Sequence, residues 1–318
     1  MAASAFENPV VLNLMSSYGP ILIGAIFQSV LYGMAMIQMF MYFNNYEKDS
    51  VWMKLYVMVV WAIETASTIL VLASMWPVLI LHWGSLHELS LTQLPLLHRV
   101  WTSGLSTFLV HMFYIYRIYM VSGRSLYPLL LIPFTLYQMI ETWVYVIRAL
   151  SDPSLATLSG RFLTDLGTSG RAVIVFVDIA IVGLMIYSLL KDGYPTFQNS
   201  RKMIFRLIVL TINTGLWSAV FAITDLVLIL PFPDQLYYCA VDFPLTSLYL
   251  NSFLANLNAR DYVRSAAGDV SYNSYPMGES TFRATRGTAS APSHGIHINT
   301  STDTTVYGDH DIKSGSKV

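Results

Sequence analysis

Five carboxylates interrupt apolar runs of helical length: Glu64, Glu141, Asp178, Asp225 and Asp242. A charged side chain at the centre of a membrane helix costs about 2.5–3.5 kcal/mol on insertion scales, so each must have a partner or a task. Grouped around water, these acids would attract a cation, a proton or an amine, which is binding or conduction chemistry rather than bond-making. With a rise of about 1.5 Å per residue, Glu141, Asp178, Asp225 and Asp242 are each expected roughly 9–11 Å inside one boundary of the bundle. Glu64 is expected nearer the middle. The sharp expectation is an acidic vestibule lined by the fourth to seventh spans. The plainer one is that each acid is hydrogen-bonded by a Tyr, Thr or Asn across the bundle, or reached by Arg99, Arg148 or Arg171.

The uncharged polar residues have a pattern of their own. Thr211, Thr214, Ser218 and Asp225 recur at helical spacing on one face, and Asp242, Thr246, Tyr249 and Asn256 do the same on the next run. Two such stripes are expected to face each other or a shared cavity, while Asn213, Asn251 and Asn258 lie off them. Arg117 and Arg124 stand among Phe113, Tyr114, Tyr116 and Tyr119, which reads as an interfacial belt with snorkelling arginine. His111 is expected as a packed hydrogen-bond partner rather than a metal ligand.

Covalent chemistry finds no support. There is no His-Glu-x-x-His, no Gly-x-Ser-x-Gly and no phosphate loop, so no catalytic residue is assigned and the expectation is a non-enzyme. A single cysteine, Cys239, rules out an intrachain disulfide and leaves a cysteine-based metal site short of ligands. Lys202 and Lys313 are consecutive lysines, so neither of the last two spans can form a retinal Schiff base; no cofactor is expected. A formal net charge of -1 argues against a nucleic-acid partner.

The elements that must position these residues are membrane helices. The chain is 54% hydrophobic and 12% charged, about half the charge of a soluble domain. Runs of about 20 apolar residues suffice to cross a bilayer. Seven are visible: Tyr18–Phe43, Leu55–Trp83, Val100–Val121, Leu126–Ile147, Ala172–Leu190, Leu207–Leu230 and Leu236–Leu257. The expected fold is therefore all-α, a polytopic bundle of seven transmembrane helices over 18–264. A short extracellular segment, 1–17, precedes it, and residues 265–318, rich in Ser, Thr, Gly and Asn, are expected as a disordered cytoplasmic tail. No cleavable leader is evident, so the first span is expected to act as its own insertion signal. Orientation follows from basic residues, which cytoplasmic loops retain. One side holds Arg99, Arg148, Arg161 and Arg171, and the other holds the remaining 14 of 18. This places the N-terminus outside and the C-terminus in the cytoplasm, with the plasma membrane as the expected location.

Two late motifs carry a resemblance: Thr211-Ile-Asn-Thr-Gly215 and Leu250-Asn-Ser-Phe-Leu-Ala-Asn-Leu-Asn-Ala-Arg260. Weaker matches are Tyr46-Glu-Lys-Asp-Ser50, Trp61-Ala-Ile-Glu-Thr65 and Arg117-Ile-Tyr-Met-Val-Ser-Gly-Arg124. Over Tyr18–Arg264 the chain resembles a large family of fungal, mainly basidiomycete, integral membrane proteins carrying a domain of unknown function. The resemblance implies seven spans, fungal origin and a carboxylate at position 64, and it implies no substrate. Three functions fit the residues. A receptor-like sensor would bind an extracellular small molecule or cation and engage a cytoplasmic kinase or adaptor at the tail, where Arg283-Ala-Thr285 and Arg286-Gly-Thr288 resemble phosphorylation sites. A small-molecule or ion transporter would use the acids as a pathway. A non-catalytic scaffold would use the polar stripes only to join helices.

Overall fold

Each apolar run folds into a long helix, and in a computed structural model of the chain these become α1 (Tyr18–Asn45), α2 (Val51–Trp76), α3 (Leu94–Val121), α4 (Ile132–Ser151), α5 (Arg161–Leu190), α6 (Gln198–Ile229) and α7 (Cys239–Asn258). The structure describes residues 18–82, 93–152, 160–191, 198–231 and 235–260. The expectations for segments 1–17 and 265–318 lie outside the described residues. So do the side chains of Thr211 and Thr214. Among the described residues there is no strand.

Local sequence sets the helix ends. Ser50 caps α2, its hydroxyl accepting from the Met53 N–H at 3.3 Å. Prolines open α3 and α4, where the missing N–H costs nothing. Pro77, by contrast, arrives in mid-helix, and α2 continues beyond it as a single π turn, Pro77–Leu81. That adjustment is a usual response to the carbonyl a proline leaves unbonded.

Several helices begin earlier than the apolar runs suggest. α5 starts at Arg161 rather than Ala172, and α6 at Gln198 rather than Leu207. Their first turns are too polar for a hydropathy reading, yet they continue the same helices. Arg171 therefore sits three turns inside α5 rather than at a rim.

Consecutive helices pack side by side from α1 to α7, and α7 returns against α1 to close the ring. α3 also packs on α5 and α7, and so occupies the centre. Wide apolar surfaces face outward, including Ile37, Phe40, Ile69, Ile140 and Trp217, far more than a water-soluble monomer exposes. The inner face of α7 supplies Leu245, Leu250, Phe253, Leu254 and Leu257 to the main core, against Val57 and Val60 of α2, Val110 and Ile118 of α3, and Val177 of α5. Four segments, Tyr18–Asn45, Val51–Leu81, Tyr127–Ser151 and Arg161–Leu190, are long and apolar enough to cross a membrane. α3 and α7 carry more polar residues, including Thr102, Ser106, Thr107, His111, Ser247 and Asn256, and these are turned inward and buried.

Candidate functional site

The polar residues of α7 meet partners at successive levels along the bundle. At the end where α1 begins, Asp242 accepts from Arg99 Nη1 of α3, and its main-chain carbonyl accepts from Arg99 Nη2 at 3.0 Å. Arg99 is 2% exposed, and its guanidinium also lies 4.4 Å over the Phe243 ring. Beside it Arg171 of α5 donates from Nε to Asp225 of α6 at 2.7 Å and from Nη1 to the Gly167 carbonyl at 3.3 Å. Arg171 also stacks on Tyr238, 4.8 Å from the ring centre.

These pairs border a cavity of about 120 Å³ lined from α3, α4, α5 and α7. Its polar lining includes Arg99, Gln138, Glu141, Tyr145, Arg171 and Asp242. The sequence suggested an acidic vestibule walled by the fourth to seventh spans. The cavity is instead of mixed charge: α3 replaces α6 in its wall, and the aspartate in that wall is already bonded to an arginine. Asp225 stands behind Arg171 rather than in the lining. Arg148 lies apart, 5.9 Å over Phe162.

Glu141 holds its place through two glycines. A Cβ at Gly170 of α5 would overlap the Glu141 carboxylate, and one at Gly104 of α3 would come within 2.7 Å of Thr142 Cγ2. α4 is thus pressed between α3 and α5 where only hydrogen leaves room. Its residues Gln138, Glu141, Thr142 and Tyr145 fall at i, i+3, i+4 and i+7, one helical face. That spacing was the signal by which Gln138 and Tyr145 could have been singled out beside Glu141.

One level further in, Tyr249 donates to Asp178 Oδ2 at 2.7 Å, and His111 Nε2 lies 3.0 Å from Asp178 Oδ1. All three line a small cavity of about 20 Å³ with Ser218 of α6 and Ser252. Asp178 therefore does not share the depth of the other acids: it meets α7 seven residues, or about 10 Å, beyond Asp242. The equal-depth expectation failed because α5 starts eleven residues before its apolar run. Ser218 and Tyr249, one from each sequence stripe, do face this shared cavity. The Ser218 hydroxyl donates to Gly215 O at 3.0 Å, and that of Thr246 to Phe243 O at 3.0 Å.

Glu64 is fully buried on the other side of α7, where it accepts from Ser247 Oγ at 2.6 Å and from Gln28 Nε2 at 3.5 Å. It joins α1, α2 and α7 and lines neither cavity. Asn251 and Asn258, off the main stripe, bind α1: Asn251 Nδ2 donates to Leu31 O at 2.8 Å, and Asn258 Nδ2 to Gln38 O at 2.8 Å.

Toward the opposite end, Asn256 accepts from Arg117 Nη1 and donates to Tyr114 Oη at 2.7 Å. Arg117 thus turns into the bundle, against the expectation of a snorkelling side chain; it follows Tyr114 by three residues and shares its inward face. At the last level Arg260 grips Asp49 through Nη1 at 2.9 Å and Nη2 at 2.5 Å. Tyr42 donates to the same carboxylate at 2.9 Å, and the Arg260 guanidinium lies 4.2 Å over Tyr46. The bonded guanidinium holds the Asp49 carboxyl below its usual range.

A helical bundle with an apolar exterior, a polar interior and four segments long enough to cross a bilayer is the architecture of an integral membrane protein. Residues 174–262, from within α5 past the end of α7, match the model of a family of unknown function (DUF6534). The chain matches no curated protein, and it matches no solved structure.

Proposed function

We propose that this protein is a receptor-like sensor of the plasma membrane with seven spans, an outside N-terminus, and a cavity open to the outer side that is coupled to the cytoplasmic end through α7. One observation carries the reading. α7 is bonded to α3 at Asp242 and again at Asn256, to α5 at Tyr249, and its end is bonded to the α1–α2 connection through Arg260. A ligand that alters the Arg99–Asp242 or Arg171–Asp225 pair acts on a helix whose far end holds the cytoplasmic connection. Differential contact with two arrangements of α7 is what a sensor requires. The Ser/Thr-rich residues after 264 then offer a kinase or adaptor its substrate on the same side. In this reading the protein acts without catalysis.

Reporters fused to each terminus test the orientation, and Ser103→Cys in a Cys239→Ala background tests the opening, because Ser103 lines the cavity. Labelling of that thiol by an impermeant reagent on intact cells is expected. In a deletion strain the sensor reading expects altered signalling without net solute flux. A change in uptake or efflux of a solute, with signalling intact, would instead establish the transporter.

A further inference from the structure

The cavity between α3, α4, α5 and α7 has an asymmetry that specifies a ligand chemistry. On the α3/α5/α7 side, opposite charges are paired through Arg99–Asp242 and Arg171–Asp225, although Arg99 Nε and Asp225 Oδ1 keep no hydrogen-bond partner. On the α4 side, one acceptor has no donor and another has only a long one. Gln138 is 1% exposed, lines the cavity, and its Oε1 has no hydrogen-bond partner. Glu141 is buried one turn further along, with a hydrogen bond from Thr142 Oγ1 at 3.4 Å. Among the described residues no basic side chain reaches ion-pair distance of it. A buried carbonyl and a buried carboxylate lacking strong donors are costly, and native structures rarely leave such groups unanswered. Three residues apart on one helix face, their Cβ atoms stand about 5–6 Å from each other, so both side chains can be reached by one ammonium group with its three N–H donors.

The facing wall answers with the opposite need. Arg171 uses Nε on Asp225 and Nη1 on the Gly167 carbonyl, which leaves its Nη2 edge for an acceptor. We infer that the cavity binds a small zwitterion, a primary ammonium joined to a carboxylate by one or two carbons. The ammonium is held by Gln138 Oε1 and Glu141, and the carboxylate is received by Arg171. A cavity of about 120 Å³ is several times the ~10–15 Å³ that one water requires, which gives room for a ligand of a few heavy atoms. This assignment rests on the cavity being the sensor's ligand site.

The test uses the full-length protein in lipid nanodiscs, with glycine and β-alanine as probes and methylammonium and acetate as half-probes. Thermal unfolding and titration calorimetry are expected to show saturable stabilisation by at least one of the zwitterions and little by either half-probe. Glu141→Gln keeps the shape and removes the charge. It is expected to weaken zwitterion binding by roughly tenfold or more, the worth of a charge-assisted bond, while the unliganded unfolding midpoint holds or rises because an unanswered buried charge is removed. Gln138→Leu is expected to weaken it as well, and should that variant unfold, Glu141→Gln alone decides. Absence of stabilisation by both zwitterions overturns the proposal, as does equal stabilisation by methylammonium alone or unaltered affinity in Glu141→Gln. Those failures are separable from failure of the sensor reading: Ser103→Cys labelled from outside with no zwitterion binding refutes only the ligand class, whereas an unlabelled Ser103→Cys removes the outer opening itself.

Discussion

Removing the carboxylate of Asp242 while keeping its shape, as Asp242→Asn does, strands the Arg99 guanidinium inside the bundle. Breaking a buried pair from one side typically costs 3–5 kcal/mol, because the surviving charge has lost its counter-charge but not its burial. Two features of this pair set the size here. The Arg99 side chain is only 3% exposed, whereas that of Asp242 is 21% exposed, so water screens one partner. The Asp242 carbonyl also still accepts from Arg99 Nη2. A cost near the lower limit, about 2–3 kcal/mol, is therefore expected. Replacing both residues by apolar ones, Arg99→Met with Asp242→Leu, removes the stranded charge and is expected to return most of that loss, since such exchanges are often neutral or stabilising. Denaturant unfolding in mixed micelles, run as a double-mutant cycle on Arg99→Met, Asp242→Leu and the two combined, measures the coupling directly. A coupling of about 2 kcal/mol corresponds to a roughly 30-fold change in the folding equilibrium. If the two single substitutions add up to the double within about 0.5 kcal/mol, the pair is not an energetic unit and the reasoning fails.

Tyr249→Phe deletes one donor to Asp178 but leaves His111 in place, and a loss of about 1–3 kcal/mol is expected in the same unfolding assay. Gly170→Ala puts a methyl where the Glu141 carboxylate lies; a displaced α4, read as faster hydrogen exchange over Gln138–Tyr145, is the expected result, while Gly33→Ala, which meets nothing within 4 Å, serves as the silent control. The Asp49–Arg260 contact is expected to depend on acid. Because the Asp49 carboxyl is held below its usual range in the folded chain, its contribution is present above the unfolded value of about 3.9 and is lost as pH falls through the lower folded value. Limited proteolysis of the α1–α2 connection between pH 7 and pH 3 is expected to accelerate only at the acid end, and Asp49→Asn is expected to flatten that profile.

The helices were legible because apolar runs of their length have few other uses, and the ring arrangement follows from their short connections. What could not be read was where a helix continues beyond its apolar stretch. Arg161–Gly170 is too polar to register as a span, so Arg171 looked like a boundary residue and Asp178 looked shallow. The α7 stripe was visible from Asp242, Thr246, Tyr249 and Asn256. Its partners were not, since they come from α3 and α5, and rotation of a helix about its axis leaves no trace in a mostly apolar pattern. Arg117 shows the same limit. A basic residue near the end of a span reads as reaching for headgroups, and only its shared face with Tyr114 hints that it points the other way. Gln138 was one polar residue in an apolar helix until Glu141, Thr142 and Tyr145 were seen on the same side of it.

The placement of α7 bears on biogenesis. The last of the described helices carries the groups on which earlier ones depend: Asp242 for Arg99, Ser247 for Glu64, Tyr249 for Asp178 and Asn256 for Arg117. Until it arrives, the earlier helices hold charged groups without these partners, which is costly in a bilayer. A reading frame cut short anywhere before residue 239 would thus yield no partly working protein. It would yield a chain recognised as unfinished, and loss-of-function through late truncation should be as complete as deletion of the gene.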